Sequence, residues 1–220
     1  IRIAEQIESG QTKHGWRLGH MAGVVLVEAG SPATIRKHLS NCDMLPTDIL
    51  GGVFMTLRFS RRTPQFIPEL LAQSAVSKRA LPNILCVLAR VLPKDRAEAV
   101  WLGLVNDSNI SRRMQAADAL YHIEDTATRM RITLAFLEHD DLQTRRAGIA
   151  TVMSLSELES KTLDRGLLRQ WAQRMLQLLD SEDTSLVRGA INGMGFCGHA
   201  FGLDVWQSIE GMPTVENGGT

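Results

Sequence analysis

Apolar residues recur every three or four positions along most of this chain, the spacing that gathers them on one face of an α-helix. Residues 94–106 carry Ala97, Trp101 and Leu104 in this phase, and residues 126–139 and 164–180 repeat the pattern with other side chains. Alternation of apolar and polar residues, as a β-strand would require, is scarce. The pattern therefore predicts an all-α fold in which helices alternate with short turns.

The amino-terminal third is less regular but is also expected to be helical. Pro82 lies inside one predicted helix and should kink it. Gly51 and Gly52 should weaken another, because glycine is a poor helix former. The predicted helices of this part cover residues 11–30, 31–42, 46–60, 63–73 and 74–92.

A repeating unit is visible in the spacing of arginines. Arg79, Arg113, Arg146 and Arg188 are 34, 33 and 42 residues apart. Small and apolar residues follow the last three, as in "MQAADAL", "AGIATVM" and "GAINGMG", and a carboxylate precedes each of these arginines by six residues. Self-similarity at such a period indicates stacked structural repeats. The three preceding carboxylates are Asp107, Asp140 and Glu182.

The segments "DSNISRRMQAADAL", "DDLQTRRAGIATVM" and "EDTSLVRGAINGMG" resemble the HEAT-repeat family, in which an acid in the turn precedes an arginine and a run of small residues. The resemblance implies a HEAT-like α-α superhelix, a right-handed solenoid of about five irregular helical hairpins whose second helices line a concave surface. It divides the chain into irregular repeats over 1–93, HEAT-like repeats continuous with them over 94–202, and a helix with a disordered tail over 203–220.

Charge-assisted hydrogen bonds from each arginine to the turn carboxylate of its own or the adjacent repeat would form a ladder through the stack. The carboxylates in the turns are also candidate helix N-caps. The expected N-caps are Ser108, Asp125 or Thr126, Asp140 and Asp183. The expected ladder consists of Asp107, Arg113, Asp140, Arg146, Glu182 and Arg188.

The residue before each ladder arginine should point away from the ladder. Lys78, Arg112 and Arg145 would then form a cationic stripe, and Gln115 and His122 lie a turn or more further along. These five residues are the candidate binding surface. The alternative is that they are ordinary solvated positions on helices.

Charge and cysteine content narrow the classes of function. Lys and Arg together number 24, as do Asp and Glu, and this neutrality disfavours a binder of duplex nucleic acid. Residues 1–90 nevertheless carry a net charge of about +5 and residues 91–220 about −5. Cys42, Cys86 and Cys197 are scattered and fit reduced thiols in the cytoplasm. No metal, cofactor or membrane span is expected.

These features favour a non-enzymatic module that binds a protein partner along its groove, as an interaction domain or scaffold. The cluster Arg58, Arg61 and Arg62 is either a solvated turn or a patch for an acidic partner. One alternative is a HEAT-like nucleic-acid binder of the DNA glycosylase kind. Another is a structural piece of a larger protein, because the first residue is not methionine. By the glycosylase analogy the relevant residues would be Asp118, Arg112 and Arg145.

Overall fold

A computed structural model describes residues 15–152 and 163–197. Every regular element within these residues is a helix, so the prediction of an all-α fold is confirmed for them. The chain divides into two compact units, residues 1–97 and 98–220. The prediction for residues 203–220 lies outside the described part.

The helices of the first unit form two groups, and the members of each group pack against one another. Helices α1, α3 and α5 pack side by side, and α2 packs against α4. Helix α2 begins where sequence rules expect it, since the Ser31 hydroxyl accepts a hydrogen bond from the Thr34 amide at 3.1 Å. The helices are α1 (Gly15–Ala29), α2 (Pro32–Leu39), α3 (Thr47–Phe59), α4 (Ile67–Val76) and α5 (Leu81–Val91), with short 3-10 turns at Cys42–Met44 and Thr63–Phe66.

Glycines bring α1 and α3 unusually close. A methyl group added at Gly23 would lie 2.5 Å from the Val53 nitrogen and 2.6 Å from the Ile49 oxygen. One added at Gly52 would lie 2.8 Å from the carbonyl carbon of His20. The expectation that Gly52 merely weakens α3 is therefore corrected: its missing side chain is what allows the two backbones to touch.

Pro82 does not kink a helix. The predicted helix over 74–92 is interrupted at Ser77–Ala80, and α5 begins at Leu81 with Pro82 in its first turn. Proline is well accommodated there, because a first-turn amide has no intrahelical partner to lose. The single helix predicted over 74–92 therefore corresponds to the end of α4 and to α5, which are separate helices.

The second unit repeats a hairpin arrangement. Helix α8 packs against α9 and α10 against α11, while α7, α9 and α11 pack in succession and α8 packs against α10. Helix α6 (Lys94–Val105) spans the boundary between the units. The other helices are α7 (Ile110–Asp118), α8 (Thr126–Glu138), α9 (Leu142–Ala150), α10 (Arg165–Leu179) and α11 (Thr184–Cys197).

Large apolar side chains fill the space between these hairpins. Trp171 and Met175 of α10 are buried with Leu137 of α8 and other residues in one cluster. Trp101 is also fully buried, and its indole Nε1 donates to the Ala116 carbonyl at 2.9 Å. That bond removes the cost of burying an indole N–H and ties α6 to α7.

The caps are offset from two of the predicted positions. Asn109 rather than Ser108 caps α7, and Asp141 rather than Asp140 caps α9. In each case the capping oxygen must reach an amide two or three residues ahead, which fixes the cap to the residue directly before the helix. Asp125 caps α8 as expected.

Candidate functional site

Arg113 links two hairpins of the second unit. Its Nε donates to Thr144 Oγ1 at 2.7 Å, and its Nη2 lies 3.3 Å from Asp141 Oδ2. The remaining donor, Nη1, binds the main-chain oxygen of Asp107 at 2.7 Å. Arg113 is 9% exposed, and its guanidinium joins the N-terminal ends of α7 and α9.

Arg146 makes the equivalent link from α9 to α11. Its Nε donates to Asp183 Oδ2 at 3.0 Å, and Asp183 Oδ1 accepts the Leu186 amide at 3.0 Å. The hydrogen bond from Arg146 lowers the pKa of Asp183, because it favours the ionised carboxylate. Arg188, the next member of the series, is exposed on α11.

These links correct the carboxylates of the predicted ladder. The carboxylates that accept from the arginines are Asp141 and Asp183, each one residue after the predicted Asp140 and Glu182, which are exposed. The reason is the capping geometry, which turns one carboxylate of each acidic pair towards the helix and leaves the other in solvent. Of the two partners that the sequence left open, in its own repeat or in the adjacent one, each of these arginines binds the carboxylate of the adjacent hairpin.

Arg112 is not part of an exposed stripe. It is 7% exposed, and its Nε donates to Asp107 Oδ2 at 2.7 Å. Burial acts to raise the pKa of Asp107, but the hydrogen bonds from Arg112 and the Asn109 amide, together with the positive charges of Arg112 and Arg113, outweigh it and the pKa is lowered. The expectation that Arg112 lies on an exposed stripe is therefore corrected: this side chain belongs to the packing of the α6–α7 turn.

The other stripe residues divide between the two units. Lys78 lies in the first unit, where its side chain is exposed and its amide donates to Asp43 Oδ2 at 2.9 Å. In the second unit, Gln115 Oε1 and Arg145 Nε are buried atoms without a hydrogen-bond partner. His122 lies beside Tyr121, with ring centroids 3.8 Å apart.

Asp43 links successive hairpins of the first unit, as the carboxylates of the ladder do in the second unit. Its carboxylate accepts from the Ser77 hydroxyl and from the amides of Lys78, at 2.9 Å, and Ala80, at 2.8 Å. It thereby binds the segment before α5 from a position before α3. Burial acts to raise the pKa of Asp43, but these hydrogen bonds outweigh it and the pKa is lowered.

Ion pairs also join the first helices of successive hairpins. Arg36 of α2 pairs with Glu69 of α4 at 2.8 Å. Arg131 of α8 pairs with Glu98 of α6 at 2.6 Å. Each pair spans 33 residues of sequence. Contacts between residues about one hairpin apart in sequence therefore occur among the first helices of the hairpins as well as among the second helices.

An exposed aromatic surface lies on α3 and α5 of the first unit. Phe59 is 62% exposed and Met55, one turn earlier, is 50% exposed. The guanidinium carbons of Arg58 and Arg90 lie 5.5 and 4.9 Å from the centre of the Phe59 ring. We call Met55, Arg58, Phe59 and Arg90 the Phe59 patch.

Sequence reasoning noticed only part of this patch. Arg58 was recognised as one of three clustered arginines, but Arg62 of that cluster is committed elsewhere, donating to the Glu28 and Gly30 carbonyls at 2.9 and 2.8 Å. The available signal was the helical phase: Met55 and Phe59 are four residues apart and fall out of phase with the buried Val53 and Leu57.

Other chemistry is limited in the part of the chain that the structure covers. No group of three or more His, Cys, Asp and Glu side chains there could hold a metal ion. None of its helices has the length and apolar character that crossing a membrane requires. Cys42 and Cys86 are free thiols, and burial raises the pKa of both.

Comparison with known proteins finds no match to this chain among family models, curated proteins or solved structures.

Proposed function

We propose that this chain is a protein–protein interaction module, built of HEAT-like helical hairpins, that binds a partner on the exposed face of its second helices. The observation that supports the proposal is the recurrence of contacts between residues one hairpin apart. Such contacts join Arg36 to Glu69, Glu98 to Arg131, and Arg146 to Asp183, at separations of 33, 33 and 37 residues.

Contacts of this kind favour a rigid recognition surface. When every hairpin is held to its neighbour by charge-assisted bonds and buried apolar residues, the exposed side chains keep fixed positions. A rigid surface loses little conformational entropy on binding, so a few anchor residues can supply most of the affinity. Ile191 on α11, which is 56% exposed, is one such candidate anchor.

The experiment compares two surface variants of the immobilised chain. Ile191→Arg places a charge on the exposed face of a second helix, whereas Gln173→Arg places the same charge on an exposed position of the first helix α10. Proteins captured from the source cells are identified by mass spectrometry, and each is then purified and titrated against the chain by calorimetry.

We expect Ile191→Arg to lower the affinity of a genuine partner about tenfold or more, as for a typical interface anchor, and Gln173→Arg to leave it unchanged. Circular dichroism must show that both variants remain folded. If no purified protein binds the chain, or if the two variants bind equally well, the proposal is contradicted.

A nucleic-acid-binding function is the second candidate, and one observation favours it. Between Ile49 and Lys94 the sequence has seven basic residues and a single acidic one, Glu69. Binding to phosphates would weaken steeply as salt rises, because counterions are released. Absence of binding to a labelled oligonucleotide at low ionic strength would contradict this alternative.

A further inference from the structure

Two arginines of the second unit lie close together, on α9 and α10. Burial of Arg174, together with the positive charge of Arg145 nearby, lowers the pKa of the Arg174 guanidinium against the opposing charge of Glu138. The Nε atom of each arginine is buried, and no described group accepts its hydrogen. Buried N–H groups normally have an acceptor. The pair therefore offers donors for an acceptor that the described residues do not supply.

The fold holds Arg174 in place on one side. Its Nη2 donates to the main-chain oxygen of Leu137 near the end of α8, and its Nη1 donates to Gln177 Oε1 at 3.1 Å. Carbonyl groups at the C-terminal end of a helix attract positive charge, which strengthens the first of these bonds. A guanidinium oriented in this way loses little conformational entropy when it binds an anion.

Arg145, by contrast, has no side-chain partner within residues 15–152 and 163–197. The preceding hairpin shows a closed ion pair at the corresponding position, since Arg112, 33 residues earlier, donates to Asp107 Oδ2 at 2.7 Å. The acid that corresponds to Asp107 is Asp140, which is exposed and makes no ion pair in the described part of the chain. The guanidinium of Arg145 is therefore available to a ligand.

The charges at the pair favour a ligand with more than one negative charge. Glu138 is the carboxylate whose charge acts on Arg174, but it is exposed, so water screens it. A phosphate monoester carries about −1.5 to −2 charge at pH 7 and three acceptor oxygens, so it can bind both guanidinium groups at once. A carboxylate brings one charge and two oxygens, which suit a single arginine.

We propose that Arg145 and Arg174 bind a phosphate monoester group between α9 and α10, beside the end of α8. Arg145 supplies the donors that the fold leaves unpaired, and Arg174 supplies the second, pre-oriented positive charge. Inorganic phosphate and a phosphorylated side chain of a protein share this chemistry, and the experiment separates the two sources. This inference goes beyond the proposed interaction function and does not depend on it.

Binding is followed in ¹H–¹⁵N spectra of the arginine Nε–H groups of the full chain. Inorganic phosphate is titrated at constant ionic strength against sodium chloride, so that general screening does not change. Three nonapeptides of glycine and serine, with phosphoserine, serine or glutamate at the centre, test a protein source and a carboxylate. Dimethyl phosphate tests a phosphodiester, which carries one charge.

The variants separate the role of the pair from that of charge in general. Arg145→Gln removes a guanidinium that has no partner in the described fold, and Arg145→Lys keeps the charge but removes the planar set of donors. Arg169→Gln is the matched control, because it removes the same charge from an exposed position of α10. Arg174→Gln also removes the bond to Leu137, so it serves as a second variant where circular dichroism shows that it is folded.

We expect the Arg145 Nε–H resonance, identified by its loss in Arg145→Gln, to shift saturably with phosphate. Monitored at the Arg174 Nε–H, Arg145→Gln should weaken phosphate binding about tenfold or more, and Arg145→Lys by less. Arg169→Gln should bind as the wild type does. The glutamate peptide and dimethyl phosphate should bind at least about tenfold more weakly than phosphate. Tighter binding of the phosphoserine peptide than of phosphate assigns the group to a protein, and equal or weaker binding assigns it to free phosphate.

Three results would overturn the assignment. They are the absence of a saturable shift with both phosphate and the phosphoserine peptide, equal phosphate affinity of the wild type and Arg145→Gln, and binding of the glutamate peptide or dimethyl phosphate as tight as that of phosphate. Each is distinct from failure of the proposed interaction function, because that function is tested at Ile191 on α11 with a purified protein partner.

Discussion

Replacement of Gly52 by alanine should destabilise the first unit, although alanine is the better helix former. In an exposed helix the change would stabilise by about 1 kcal/mol. Here the new methyl group would lie 2.8 Å from the carbonyl carbon of His20 and nearer still to its oxygen, where contact normally begins at 3.4 Å. The obstacle is backbone, so α1 and α3 must separate. Overpacking of this kind costs about 3 kcal/mol at the upper end of its range, which leaves a net loss of about 2 kcal/mol.

Gly51→Ala is the matched control, one residue away on the same helix. A methyl group at Gly51 would meet only the His20 ring nitrogen, at 4.0 Å, so this variant should gain stability by up to about 1 kcal/mol. Urea unfolding followed by circular dichroism gives both free energies, and hydrogen exchange shows whether protection is lost in α1 and α3. If Gly52→Ala proves as stable as Gly51→Ala, the close approach of these helices is contradicted.

Two further predictions concern the buried indole and the turn carboxylates. Trp101→Phe removes the hydrogen bond to the Ala116 carbonyl and should lower the free energy of unfolding by about 1–3 kcal/mol, measured in urea; an unchanged value would show that this bond contributes nothing. Folding lowers the pKa values of Asp43 and Asp107. Their ionised carboxylates therefore stabilise the fold fully at pH values above their pKa in the unfolded chain, which is about 4. This stabilisation is lost as the pH falls through their lower pKa values in the folded chain. The unfolding midpoint should therefore fall in that acid range, and less steeply in Asp43→Asn; an identical pH profile for wild type and variant would contradict the role of this carboxylate.

The apolar period predicted the helices well where flanking signals were strong. Helices α6, α8 and α10 fall within one or two residues of their expected bounds, because apolar spacing and a polar turn both mark them. The pattern was less reliable near Pro82, because the apolar spacing continues from the end of α4 into α5. Only the interruption at Ser77–Ala80, whose donors are bound by Asp43, shows where the second helix begins.

The arginine period indicated which side chains lie one hairpin apart but not which side chains are exposed. Spacings of 33 and 34 residues in the sequence correspond to contacts between side chains one hairpin apart. Whether an arginine faces its neighbour hairpin or solvent depends on a rotation of about 100° per residue along the helix. Arg112 was expected at the surface and is buried, whereas Phe59 was overlooked and is exposed.

The sequence by itself predicted helices that alternate with short turns, as the described residues have them, and it carries arginines spaced 34 and 33 residues apart. These properties follow from local periodicity and turn chemistry, which a reader of the chain can see directly. Only the tertiary structure decided which carboxylate of each acidic pair binds an arginine. It also showed that position 52 requires a glycine, because α1 and α3 meet there, and that arginines flank the exposed ring of Phe59. Those outcomes depend on atoms about 30 residues apart in sequence, and no local pattern encodes the angle at which two helices meet.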